Sequence, residues 1–123
     1  MTIKEVSEKY GISQDTLRYY ERIGVIPAVE RSSSGFINYD ENTCGWIELA
    51  KCMRSAGVSI EALIVYCRLV QQGESTVSAR KKLLEGEREK LVLKIDEMQK
   101  AKEKLDYKIS IYENAEKTGV LEW

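Results

Sequence analysis

The cysteines are the first candidates for chemistry in this 123-residue chain, which has three cysteines and no histidine. Cys44, Cys52 and Cys67 are too few, and odd in number, for a disulfide-stabilised scaffold. The absence of histidine removes the commonest general base and the commonest metal ligand. A thiol enzyme would therefore lack its usual base. The sequence predicts no catalytic residue, no metal site and no cofactor.

A second group of reactive side chains lies on a short helix predicted after Ser13. Helical geometry places Leu17 and Tyr20 on one side of this helix. The opposite side carries Asp15 together with the two arginines and the tyrosine: Arg18, Tyr19 and Arg22. Two guanidiniums and a phenol on one face suit contacts with phosphates and base edges in a major groove. A solvated helix face with one stray tyrosine is the simpler alternative.

Local signals predict the elements that must position this face. Thr2 and Glu5 form a capping-box pattern for a first helix, Gly11 ends it, and Ser13 can cap the second. Residues 2–23 therefore predict a helix-turn-helix. Two short strands, 28–31 and 36–39, are predicted to form a hairpin around a serine- and glycine-rich loop, as a wing over residues 28–39.

A second helix pair is predicted over residues 40–73. Asp40 or one of its neighbours can cap the third helix, which ends near Ala56. Its predicted buried face comprises Trp46, Leu49, Ala50 and Met53. Ser59 can cap the fourth helix, which ends near Gly73. Its apolar stripe comprises Ile60, Leu63, Ile64, Cys67 and Val70.

A heptad pattern then predicts one long helix over residues 75–115. Apolar residues recur every seven positions, and isoleucines alternate with cations three positions earlier. The predicted dimerisation seam is Leu84, Leu91, Ile95, Met98, Leu105, Ile109 and Tyr112, interrupted by Arg88 and Lys102. Such a narrow seam favours a coiled-coil partner. A helix folded back on its own head is the alternative.

The residues from Ser13 to Pro27, SQDTLRYYERIGVIP, resemble the DNA-binding signature of the MerR family of transcriptional regulators. The wing segment 35–39 follows at the family spacing, and residues 52–60 resemble the second helix pair of its head. The resemblance implies an all-α fold with a small β wing. A winged helix-turn-helix head (1–74) would precede an antiparallel coiled-coil dimerisation helix (75–115) and a short tail (116–123).

The same resemblance implies a homodimer that binds a palindromic promoter and distorts it so that RNA polymerase can engage, usually as an activator. Carried over by position, Arg18 and Tyr19 contact DNA from the recognition helix, with Ser13 and Thr16 near phosphates. Arg31 and Phe36 serve in the wing. In this chain Phe36 and Ile37 replace the tyrosine and the arginine that are usual in the family's wing, which removes a hydroxyl and a cation.

Residues 46–57, WIELAKCMRSAG, resemble the short NmlR/AdhR-like branch of the family, which is linked to aldehydes, electrophiles and thiol stress. No cysteine follows Cys67, so the cysteine pattern of the family's metal sensors is absent from the sequence. The branch's sensor cysteine falls on Cys52, with Cys44 as the second candidate because the helix N-terminus favours a thiolate. A non-thiol effector, a protein effector, or a coiled-coil adaptor that binds no DNA are the alternatives.

Charge is balanced in both parts of the chain. Residues 1–80 hold 9 cations and 10 anions, and residues 81–123 hold 10 of each, giving a net charge of −1. We therefore expect DNA affinity to depend on local, dimeric contacts rather than on a broad basic surface. The longest apolar run, Ala62 to Cys67, is far shorter than the roughly 20 residues that span a bilayer. No targeting segment is recognisable, so a cytoplasmic protein is expected.

Overall fold

The computed structural model describes residues 1–31 and 37–123, and regular structure in these residues is helical. In chain order the elements are α1 (Ile3–Tyr10), α2 (Gln14–Ile23), α3 (Glu41–Ser55), α4 (Ile60–Gln71), a 3-10 turn (Glu74–Thr76) and α5 (Val77–Thr118). The chain forms two compact units, Met1–Glu87 and Arg88–Trp123.

The helix-turn-helix forms as predicted, with its signals in place. Thr2 and Glu5 make the reciprocal capping box of α1, and the Ser13 side chain accepts the hydrogen bond that caps α2. Gly11 adopts a left-handed conformation with φ 65°, which lets the chain turn sharply between the two helices. The recognition helix is therefore held by its own cap and by a turn that favours glycine.

The second helix pair also forms, capped by Asp40 and Ser59, but its buried face differs from the prediction. Cys44, Ile47 and Ala50 are buried in α3. Of the predicted face only Ala50 is buried, whereas the other three members are half-buried: Trp46, Leu49 and Met53. The physical reason is that Cys44, Ile47 and Ala50 join the buried core, while the Trp46 ring packs beside Tyr66 of α4, with centroids 5.6 Å apart.

One apolar core holds the first unit together. Its largest fully buried side chains come from α1, α2, α3 and the segment between α2 and α3: Val6, Leu17, Val25, Ile26, Tyr39 and Ile47. Leu17 faces this core, so the opposite side of α2 faces solvent. The core thereby fixes which side of the recognition helix is presented.

The predicted β wing is wrong as a strand assignment within the described residues. A single antiparallel bridge joins Arg31 to Ile37, and no strand is formed in the described parts of the chain. The N–H of Asn38 donates to the carbonyl of Glu30 at 3.3 Å, but the groups beyond this pair bond elsewhere: the N–H of Val29 donates to the Glu21 carboxylate, and the N–H of Tyr39 donates to the carbonyl of Met1. A strand ladder cannot extend through groups already engaged in this way.

The long helix α5 begins two residues later and ends three residues later than predicted. Gly73, with φ 99°, lies between the end of α4 and the 3-10 turn, and this turn leads into α5. The Thr76 hydroxyl donates to the Leu69 carbonyl at 2.6 Å, and Arg80 donates to the Gly73 carbonyl at 2.6 Å. The 42 residues of α5 include no buried residue.

Candidate nucleic-acid interface

Arg18 is the centre of the solvent-facing side of α2. Its guanidinium Nη1 lies 3.3 Å from Asp15 Oδ1, and its Nη2 donates to Gln14 Oε1 at 3.3 Å. Both partners precede it by three or four residues, the spacing that puts helical side chains side by side. The two contacts hold the guanidinium over the first turn of α2.

Tyr19 and Arg22 extend the same face towards the end of the helix. Arg22 Cζ lies 5.3 Å from the Tyr19 ring centroid, a cation–π distance. The Tyr19 side chain is 39% exposed, whereas Tyr20 packs against the core. The structure therefore places the three predicted residues of this helix together on one accessible surface. We call Arg18, Tyr19 and Arg22 the recognition face.

Ser13 and Thr16 lie at the N-terminus of the recognition helix. The backbone N–H of Thr16 donates to Ser13 Oγ at 3.1 Å, and the Ser13 hydroxyl donates to Thr16 Oγ1 at 2.8 Å. Ser13 Oγ is therefore engaged in capping. The positive end of the helix dipole at this position favours a phosphate.

Of the two wing residues predicted to contact DNA, Arg31 and Phe36, the structure describes only Arg31. Arg31 is exposed and bridges to Ile37. Phe36 lies outside the described residues. Arg31 is thus available at the base of the predicted wing.

Two long-range contacts of the head were not predicted. Glu21 Oε2 accepts from the backbone N–H of Val29 at 2.5 Å. The ammonium of Lys51 in α3 donates to the carbonyl of Tyr10, at the C-terminal end of α1. A cation at a helix C-terminus is favourable. Both contacts join residues separated in sequence, and neither partner is marked by local spacing.

Comparison with known proteins gives the family. A profile of MerR HTH family regulatory proteins matches residues 1–69. The chain belongs to the MerR family. AdhR from Bacillus subtilis, an HTH-type transcriptional regulator, is 52% identical over 92 residues, which are 75% of this chain and 66% of AdhR. The MerR family consists of transcriptional regulators rather than enzymes.

Solved MerR structures agree over nearly the whole chain. A MerR family regulator from Listeria monocytogenes is 49% identical with a TM-score of 0.89, covering 92% of this chain and 86% of its own. HiNmlR, a regulator that lacks the sensor domain and was solved bound to promoter DNA, is 28% identical with a TM-score of 0.84. That similarity covers 98% of this chain and 95% of HiNmlR. These relatives support the NmlR/AdhR-like branch.

The three cysteines of this MerR chain differ in accessibility. Cys52 is exposed on α3, whereas Cys44 and Cys67 are buried. Burial raises the pKa of the Cys67 thiol. The thiolate is the reactive form, so Cys67 is protected both by packing and by its raised pKa.

Cys44 lines an open pocket of about 630 Å³ beside α1 and the start of α3, together with Lys9, Tyr10 and Glu48. Burial raises the pKa of the Tyr10 phenol, and the neighbouring Cys44 thiol adds to the rise.

Within the described residues, no group of three histidine, cysteine, aspartate or glutamate side chains could hold a metal ion. No helix in that part of the chain is long and apolar enough to cross a membrane.

Proposed function

We propose that this MerR-family regulator is a homodimer that binds a palindromic promoter and activates transcription by distorting it for RNA polymerase. The recognition face carries the proposal, because two guanidiniums and a phenol are displayed on the second helix of a helix-turn-helix. That helix is the one that enters the major groove in such folds. HiNmlR, a relative of nearly the same length, has been solved on promoter DNA.

Each proposed contact follows from its position. Arg18 and Tyr19 reach bases and phosphates from the middle of α2, and Arg22 contacts the backbone at its end. Ser13 and Thr16 lie against a phosphate at the helix N-terminus. Arg31 and Phe36 contact the backbone from the wing. In this proposal residues 1–74 form the DNA-binding head, and the protein acts in the cytoplasm, where the promoter is accessible.

Dimerisation is assigned to residues 75–115, with 116–123 as a tail. The seam residues Ile95, Met98, Leu105 and Ile109 are all more than half exposed in the single chain. Apolar side chains repeating along a helix of this length bury themselves in a coiled coil. An antiparallel pair would carry two heads to the two halves of a palindrome.

Footprinting on the DNA upstream of the protein's own gene tests the DNA-binding proposal. We expect a protected palindrome, and Arg18→Ala should lower affinity by about 5- to 150-fold and flatten the salt dependence, as loss of a base or phosphate contact does. Lys104→Ala removes one cation from α5 and should change neither. Absence of protection, or unchanged binding by Arg18→Ala, would favour a coiled-coil adaptor that binds no DNA.

For the effector we propose reactive aldehydes or other electrophiles acting through Cys52. Exposure of its thiol supports this assignment, since an electrophile must reach the sulfur. Transcription in vitro from the footprinted promoter should respond to an aldehyde in the wild type and in Cys44→Ser, but not in Cys52→Ser. An equal response in Cys52→Ser would instead indicate Cys44, a non-thiol effector or a protein effector.

A further inference from the structure

Asp15 is a carboxylate on the surface that is proposed to meet DNA. Its side chain is 97% exposed, and it lies one turn before Arg18 on the same side of α2. An acid in the first turn of a helix is favourable for the helix itself. A negative charge facing phosphates, however, opposes binding to any duplex. A specific contact between Asp15 and a base would compensate for this repulsion.

The contacts of Asp15 indicate that role. Oδ1 is the atom that faces Arg18 Nη1 at 3.3 Å, while Gln14 accepts from Nη2 of the same guanidinium. Two acceptors on two different nitrogens restrict the rotation of the long arginine side chain. A guanidinium oriented in this way has less freedom to lose when it meets a base edge.

The pair also matches the chemistry of one kind of base pair. In the major groove guanine offers two acceptors, which suit a guanidinium, and its partner cytosine offers an amino donor, which suits a carboxylate. Asp15 presents an acceptor next to the hydrogen-bond donors of the Arg18 guanidinium. A phosphate would satisfy only the arginine.

We propose that Asp15 is a specificity-determining residue, which directs Arg18 to guanine, accepts from a cytosine amino group, and weakens binding to other sequences by repelling phosphates. This inference rests on the proposed DNA-binding function. Removal of the carboxylate should therefore relax sequence choice while leaving, or strengthening, affinity for unselected DNA. Removal of Arg18 should instead lower the affinity for every duplex, because a cation that faces the DNA is lost.

The test is selection from a randomised duplex pool with full-length wild type and Asp15→Asn, followed by titration of the selected duplex and a scrambled one. We expect Asp15→Asn to lower the ratio of the two affinities by about 10-fold, mainly by tighter binding to the scrambled duplex. One G·C position in each half-site should lose its preference. Circular dichroism of both proteins checks that α2 remains folded.

Asp96→Asn is the matched control, because Asp96 is also exposed and forms an i,i+4 ion pair with Lys100 on α5. It removes the same charge and should leave base preference and affinity ratio at the wild-type values. In an Arg18→Ala background, Asp15→Asn should change the preference for guanine less than it does in the wild type, because only its contact with cytosine is then lost.

The outcomes separate the inference from the function on which it rests. If wild type selects a palindrome but Asp15→Asn selects the same one with the same affinity ratio, the assignment of Asp15 is wrong and DNA binding stands. A uniform loss of affinity in Asp15→Asn, with every base preference kept, would also overturn it. If wild type enriches no sequence, the proposed function itself fails.

Discussion

The carboxylate of Glu21 accepts a hydrogen bond from the backbone N–H of Val29, and the two atoms are 2.5 Å apart. Glu21 lies in the last turns of the recognition helix, and Val29 is a buried residue in the segment that leads towards Arg31. Burial raises the pKa of the nearby Tyr39 phenol, and the charge of Glu21 adds to the rise. One side chain therefore links the recognition helix to the start of the wing.

Replacement of Glu21 by alanine should lower the free energy of unfolding by about 1–3 kcal/mol, since a part-buried N–H would lose its acceptor. Glu21→Gln keeps an acceptor oxygen and should lose less. Urea denaturation followed by circular dichroism measures both. Glu8→Ala removes an exposed glutamate from α1 and should stay within about 0.5 kcal/mol of wild type. Equal stability of all three variants would show that the Val29 contact contributes nothing.

The helices of the head were predictable because their signals are local. Thr2 with Glu5, Ser13, Asp40 and Ser59 each cap the helix that follows, through hydrogen bonds to residues three positions away. Such contacts form whatever the rest of the chain does. The exposed side of α2 could also be predicted, because Leu17 is buried and helical spacing fixes the opposite face.

The features that were not predictable depend on distant partners. The acceptor for Val29 is eight residues away and the carbonyl bound by Lys51 is 41 residues away, so no sequence pattern marks either pair. The same reason explains the error in the wing. The backbone N–H groups of Val29 and Tyr39 bond to Glu21 and Met1 instead of extending a strand pair. The inward face of α3 was misassigned because helical spacing alone does not fix which side packs on the core: Cys44, Ile47 and Ala50 are buried, whereas the ring of Trp46 lies beside Tyr66 of α4.

The exposed seam of α5 predicts a dimer that a single charge should disrupt. Met98 is 70% exposed in the single chain, so Met98→Asp should leave the isolated helix intact while burying a carboxylate in any coiled coil. We expect a monomer in analytical ultracentrifugation and loss of promoter binding.

Ser110→Asp adds the same charge to another face of α5 and is the control for the seam variant. It should remain dimeric and bind promoter DNA as wild type does. A Met98→Asp protein that sediments like wild type would exclude the proposed seam and leave the folded-back helix as the alternative.

Acid should weaken the N-cap of α3. The backbone N–H of Thr43 donates to Asp40 Oδ1 at 2.8 Å, and this hydrogen bond lowers the pKa of Asp40 below 3.8 in the folded protein. The unfolded chain then binds the proton first, so the stabilisation is present above pH 3.8 and is lost as pH falls through the folded pKa.

Thermal unfolding midpoints between about pH 6 and about pH 2 test this contribution. Asp40→Asn keeps a capping oxygen without a titrating group, so its midpoint should fall less on acidification than that of wild type. Asp40→Ala should be less stable than either at neutral pH. An Asp40→Asn profile that falls in parallel with wild type would assign the acid sensitivity to other carboxylates.

The accessibility of the three thiols predicts an order of alkylation that bears on the proposed sensor. Cys52 is exposed, while Cys67 is buried and burial raises its thiol pKa. Because the thiolate must reach the reagent, native protein should react with iodoacetamide at Cys52 first and at Cys67 at least about 10-fold more slowly, after local opening. Peptide mass spectrometry gives the rate at each position, and the same measurement in urea should bring the three rates together. If Cys52 reacted no faster than Cys67 in the native protein, its sulfur would be unavailable to an aldehyde and the sensor assignment would have to pass to another group.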